Sequence, residues 1–190
     1  MLNQIIIFIL NTVLGLFSIA LLLRFYMQLM RMPYRNPISQ FLVALTDFIV
    51  HPARRVIPSL RGIDLSTLLL AWLTQFILLA GIYKLQGDNL SSTLSAVTVG
   101  LMLLAFVEII KMTLHIVMIA TIVQVALSWF SPHSPIAPLL DSFTRPFLRI
   151  FRERIPPIGN IDLSPLFVLV IIQLLLMATT GLQREIYLLF

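Results

Sequence analysis

The sequence predicts an all-α membrane protein: four transmembrane helices forming two parallel tandem repeats, each with a cytoplasmic-side amphipathic helix between its spans. Three observations predict it. Of 190 residues, 59% are apolar and only 11% charged, with mean hydropathy +1.00, whereas a soluble domain carries about 25% charged residues. Four apolar stretches approach or exceed the roughly 20 residues that a helix needs to cross a bilayer. Two ten-residue segments, "IPSLRGIDLS" at 57–66 and "IPPIGNIDLS" at 155–164, are nearly the same.

The first apolar run, Ile5 to Leu23, is read as a retained span over about 5–24. It has neither the positive n-region nor the A-x-A-like site of a signal peptide. Further runs cover Leu65–Tyr83, Thr93–Phe130 and Leu163–Leu182. The third is the awkward one. As one helix its 38 residues would extend about 57 Å, against a hydrocarbon core of about 30 Å. Either it is a single tilted span (about 103–122) with an interfacial extension, or it is two spans broken near Glu108 to His115.

Charge placement favours four spans over five. Ten of the thirteen basic residues fall in two segments: Arg24, Arg31, Arg35, Arg54, Arg55 and Arg61, then Arg145, Arg149, Arg152 and Arg154. The positive-inside rule puts both segments in the cytoplasm, which leaves both termini and the 84–92 loop on the periplasmic side of a bacterial inner membrane. Each Arg-rich segment also has helical periodicity. After Pro37, apolar residues fall at Ile38, Phe41, Leu42, Leu45, Phe48 and Ile49; after Pro135, at Ile136, Leu139, Leu140, Phe143 and Phe147. Gln40 and Asp47, or Asp141, Ser142 and Arg145, lie opposite. These are read as amphipathic helices over about 37–50 and 135–147, lying in the interface or re-entering between spans.

At an offset of 98 the chain matches itself at 15 of 44 positions over 37–80. Arg54, Pro58, Asp64, Ser66 and Gln75 recur as Arg152, Pro156, Asp162, Ser164 and Gln173. The repeats are placed at 1–92 and 93–190. Asp64 and Asp162 each open a span, as an N-cap whose carboxylate accepts orphan backbone N–H groups, as the acidic half of a clasp with Arg54 or Arg152, or as an ion ligand. Gln75 and Gln173 lie about 16 Å further along, near mid-bilayer, where an amide joins helices or lines a polar path.

"EIIKMTLH" places Glu108, Lys111 and His115 on one helix face. Ionisable groups at membrane depth are costly and mark functional candidates; nearer the outer boundary the same face is an i, i+3 charge pair. His51 reads as a solvated loop residue. The chain has no cysteine, which excludes disulfide and thiol chemistry. No metal-ligand spacing, Ser-His-Asp set or Gly-rich phosphate loop is found, so neither a cofactor nor an enzyme activity is expected. The net charge of +5 sits beside hydrophobic spans, which points to anionic lipid headgroups rather than nucleic acid. A membrane-protein partner or a second copy stays open.

Arg-x-x-Ile-Pro followed by a short Gly-containing turn and Ile-Asp-Leu-Ser, duplicated in a small hydrophobic chain, resembles the YggT (YlmG) family of bacterial inner-membrane proteins and their plastid relatives. The second copy departs in having Gly159-Asn160 where the first has Arg61-Gly62, so a role for Arg61 would not transfer. The resemblance implies links to osmotic or salt tolerance and ion uptake, to division-gene clusters, or to cofactor assembly and nucleoid organisation in plastids. It supplies no catalytic residue. A scaffold or assembly factor and an ion transporter or channel subunit are the two functions carried forward.

Overall fold

The computed structural model describes residues 1–30, 32, 37–57, 63–86, 94–131, 134, 136–154 and 162–188. These form six α-helices: α1 Leu2–Leu29, α2 Pro37–Val56, α3 Leu65–Gln86, α4 Leu94–Phe130, α5 Ala137–Arg152 and α6 Ser164–Tyr187. Among the described residues, α1, α3, α4 and α6 are long and apolar enough to cross a membrane. Pro58 and Pro156 of the recurring motif, with Arg61, Gly159 and Asn160, lie outside the described residues.

The long third apolar run is one helix, unbroken between Glu108 and His115. No proline or glycine falls inside that stretch, and the usual causes of a sharp break are absent from it. Its 37 residues extend about 55 Å, so α4 must tilt or overhang a core of about 30 Å. The expected 103–122 span lies inside it.

α2 and α5 run further than the expected 37–50 and 135–147. Each continues through an internal proline, Pro52 or Pro146, although proline inside a helix costs about 3 kcal/mol. Continuing carries Arg54 and Arg152 onto the last turn of each helix. His51 therefore stands on a helix rather than in a loop, exposed and 3.4 Å from Arg55. On α2 the inward residues are Ser39, Leu42, Thr46 and Val50, whereas Phe41, Leu45 and Phe48 stay exposed. On α5 Phe143, Thr144 and Leu148 turn inward.

Large apolar side chains are exposed along every long helix: Phe8, Ile77, Phe106 and Leu174, for example. Facing water they would be a liability; facing acyl chains they are not. The interior is held by three clusters that all include α4. Leu21 and Leu22 of α1 meet Ala71 of α3 and Ile109 of α4. Leu104 and Val107 of α4 meet Ile186 of α6 and Tyr83 of α3. Ala120 of α4, Phe143 and Leu148 of α5, and Val168 and Ile172 of α6 join Ala20 and Met27 of α1. Lipid supplies no hydrophobic drive between helices, so close packing and interhelical polar contacts hold such a bundle.

Two contacts define its ends. Asn3 Nδ2 donates to Leu85 O at 3.0 Å, placing the start of α1 beside the end of α3. Val97 and Leu101 near the start of α4 pack in one cluster with Ile186 near the end of α6. The start of α1, the end of α3, the start of α4 and the end of α6 therefore share one end of the bundle. The arginine-bearing ends of α2 and α5 lie at the starts of α3 and α6, at the other.

Candidate functional site

At the start of α3, the buried carboxylate of Asp64 gathers five donors. Arg54 donates from Nε at 3.1 Å and from Nη2 to Oδ2, and the Thr67 hydroxyl also reaches Oδ2. Oδ1 accepts from the Ser66 hydroxyl and from the Thr67 backbone N–H at 3.4 Å. The last contact is an N-cap bond to the third residue of the helix. One carboxylate thus caps α3 and clasps the end of α2. Arg54 Nη2 donates at 2.9 Å to Gln28 Oε1 as well, so α1 is tied to the same point.

Electrostatics agree with the geometry. Burial pushes the Asp64 carboxyl up, but the hydrogen bonds from Arg54, Ser66 and Thr67 outweigh it and hold the group below the ordinary carboxylate value. Buried charge is tolerated only when so paired.

The equivalent arrangement at α6 is looser, and one substitution explains why. Pro165 occupies the position of Thr67, and proline has neither a hydroxyl nor an N–H. Asp162 Oδ1 accepts instead from the Ser164 N–H at 2.9 Å, and Oδ2 from Arg152 Nε at 2.8 Å. α6 begins one residue later relative to its aspartate than α3 does. The Asp162 side chain is 40% exposed where that of Asp64 is 1%. Its carboxyl is still held below the ordinary value, partial burial being outweighed by Ser164 and Arg152. Ser66 is satisfied by its aspartate, while the buried Ser164 hydroxyl has no hydrogen-bond partner among the described residues.

α2 and α5 are also each fastened to the long helix before them. Arg24, 5% exposed on α1, donates to Thr46 Oγ1 and Asp47 Oδ1 of α2, both at 2.9 Å. The hydrogen bond from Arg24, reinforced by its charge, holds the Asp47 carboxyl below its ordinary value even though partial burial opposes it. In the second half, Gln124 of α4 donates to Asp141 at 3.2 Å and accepts from Thr144, both on α5.

The glutamines both turn to α4. Gln75, 2% exposed, donates to Met112 Sδ at 3.2 Å, and Gln173, exposed, approaches Met118 Sδ at 3.6 Å. Glu108 and Lys111 lie 3.5 Å apart and share a third partner. Gln183 of α6 donates to Glu108 at 2.6 Å and accepts from Lys111 at 3.1 Å. His115 Nδ1 lies 2.8 Å from the Lys111 carbonyl, so it donates there. Gln183 is nineteen residues beyond Ser164, about 28 Å along α6, so this trio sits at the far end of the helix rather than at its middle. Lys111, His115, Gln173 and Thr180 line one open groove between α4 and α6, about 770 Å³ in volume.

Arg24, Gln28, Thr46, Gln124, Thr144 and Gln183 were not among the sequence candidates. Thr46 and Thr144 recur at the 98-residue offset and were visible as a match; the others do not recur. Among the described residues, no cluster of three or more His, Cys, Asp or Glu could hold a metal ion.

Four helices long and apolar enough to cross a membrane, among the described residues, define a multi-span helical membrane protein. The chain belongs to the CCB3/YggT family, whose model matches residues 3–83 and again residues 103–183. It is similar to an uncharacterised protein of Pseudomonas aeruginosa, 34% identical and covering 97% of this chain and 96% of that one. It is also similar to the uncharacterised protein YggT of Escherichia coli K12, 32% identical over 87% of this chain and 84% of that one. An uncharacterised Vibrio alginolyticus protein is 32% identical, over 87% and 88%. No solved structure matches the chain significantly.

Proposed function

We propose that the chain is a non-enzymatic scaffold or assembly factor of the bacterial inner membrane, serving membrane or osmotic-stress homeostasis. It is built as two tandem units, each with an amphipathic helix at the cytoplasmic interface; both termini are periplasmic. One observation carries this reading. Arg24, Arg54 and Arg152, with their aspartates, lie where α2 and α5 meet the long helices, so the strongest polar chemistry fixes surface helices rather than lining a path. Helices held in this way present a rigid, arginine-rich face to anionic headgroups and to a membrane-protein partner or a second copy.

In-membrane crosslinking with mass spectrometry tests it. Wild-type chain is expected to give a reproducible set of partner or self crosslinks from α2 and α5. Substitution of Arg54 and Arg152, or of Asp64 and Asp162, is expected to deplete them. Unchanged crosslinks and an unchanged stress phenotype would remove the scaffold reading.

The α4–α6 groove favours a second reading, an ion-handling transporter or channel subunit, because Lys111, His115 and Gln173 share it. Proteoliposome flux is its test: flux unaffected by Lys111→Met together with Gln173→Leu, both lining the groove, counts against it.

A further inference from the structure

The second clasp borders an open space. Between α4, the end of α5 and the start of α6 lies a pocket of about 310 Å³, lined by Gln124, Ser128, Trp129, Arg152, Asp162 and Pro165. At about 30 Å³ of liquid per water molecule, it could hold some ten waters. Its contents are unusual for this chain. A half-exposed guanidinium and a half-exposed carboxylate lie side by side, with Arg152 Nε on Asp162 at 2.8 Å and each side chain about 40% exposed. Beyond Asp162, the nearest described acid to Arg152 is Asp141, at 4.0 Å.

In the first clasp the aspartate is used up, 1% exposed against 40% for Asp162, although Arg54 is as exposed as Arg152. Arg54 donates to Gln28 as well as to Asp64, and Thr67 and Ser66 occupy the aspartate. In the second, Pro165 removes two of those donors, and Ala126 stands where Gln28 stands in the first. The open pair has nearly zero net charge and adjacent donor and acceptor faces. Trp129, 72% exposed at the end of α4, is the residue type that favours the level of lipid headgroups.

We propose that this pocket binds the headgroup of a zwitterionic aminophospholipid, with Arg152 taking the phosphodiester and Asp162 the primary ammonium. Guanidinium forks suit phosphate oxygens, and a carboxylate accepts the hydrogen bonds that an ammonium donates. Both preferences are needed. An anionic headgroup without an amine would meet Asp162 as a like charge, and a quaternary ammonium has no N–H to donate. The inference rests on the placement of this end of the bundle at a bilayer interface.

The test uses the full chain in detergent, titrated with dioleoyl phosphatidylethanolamine, phosphatidylglycerol or phosphatidylcholine and read by native mass spectrometry. Phosphatidylethanolamine is expected to saturate one site with at least about fivefold preference over the other two. Arg152→Gln is expected to weaken it about tenfold, and Asp162→Asn to abolish its advantage over phosphatidylglycerol. Arg149→Gln, an exposed arginine on the same helix paired with Glu153, is expected to change nothing. Equal binding of the three lipids, a preference for phosphatidylglycerol, or equal losses with Arg149→Gln and Arg152→Gln would overturn the proposal. Failure of the interfacial placement is distinguishable, because then no lipid class is retained at all.

Discussion

Arg54 places both Nε and Nη2 on a single oxygen of Asp64, Oδ2, and in doing so joins the last turn of α2 to the first residue before α3. Ten residues separate the two in sequence, and Arg152 and Asp162 repeat that spacing. The two pairs differ in what surrounds them, and the difference has measurable consequences.

Asp64→Ala should cost about 2–3 kcal/mol, because it strands an arginine and two hydroxyl groups that had a charged partner. Asp162→Ala should cost no more than about 1 kcal/mol, since that pair is well exposed and screened by solvent. Thermal unfolding of the two variants in the same detergent checks the ranking.

Acid should weaken the fold late. The carboxyls of Asp64, Asp162 and Asp47 are all held below the ordinary value of 3.8. A depressed carboxylate contributes stability that is fully present above its unfolded-state pKa and lost as pH falls through the folded one. Stability is therefore expected to be insensitive to these groups from neutral pH down to about 5, one unit above the unfolded-state pKa, then to fall. Asp64→Asn should flatten part of that fall while lowering stability at neutral pH, as followed by melting temperature against pH.

Arg24→Leu should loosen α2 more than it disturbs the bundle. It removes three hydrogen bonds from a charged donor to α2, to Val43 O, Thr46 and Asp47, together worth about 2–3 kcal/mol when one end is solvent-exposed. Amide hydrogen exchange is expected to speed up in α2 and to stay unchanged in α6.

Gln183→Leu should cost about 1 kcal/mol through the α4–α6 contact, a magnitude in line with interhelical hydrogen bonds in membranes. Double substitution with Lys111→Met should cost less than the sum, because both remove the same contact. Unfolding in detergent reads both.

Sidedness is testable because the chain has no native cysteine. Asn3→Cys is expected to react with an impermeant thiol reagent in intact spheroplasts. Arg149→Cys is expected to react only after permeabilisation.

Much of the helix layout was legible because membrane helices advertise themselves by length and apolarity, and because α2 and α5 carry a 3.6-residue period. The arginine–aspartate pairs were legible as one alternative because charged residues recurred at a fixed spacing. Helix ends were not: α2 runs through Pro52 to Val56 and α5 runs on to Arg152, and the contacts that Arg54 and Arg152 make there lie on other helices, where no local pattern records them. The continuity of α4 was readable in principle, because no proline or glycine falls between Glu108 and His115. Gln183 and Arg24 were missed for a different reason. Their partners lie on other helices, and the register of α6 on α4 or of α2 on α1 is set by side-chain packing that no periodicity records. The Thr67/Pro165 difference was readable in principle, because a proline cannot supply the N–H that a cap requires.

Arg54 and Asp64 act as one unit that fixes α2 to α3. A double-mutant cycle with Arg54→Gln and Asp64→Asn, measured by unfolding in lipid nanodiscs, tests it most directly. A coupling of about 1.5–3 kcal/mol is expected, the range for a charge-assisted hydrogen-bonded pair. Additivity within about 0.5 kcal/mol, the behaviour of independent sites, would contradict it.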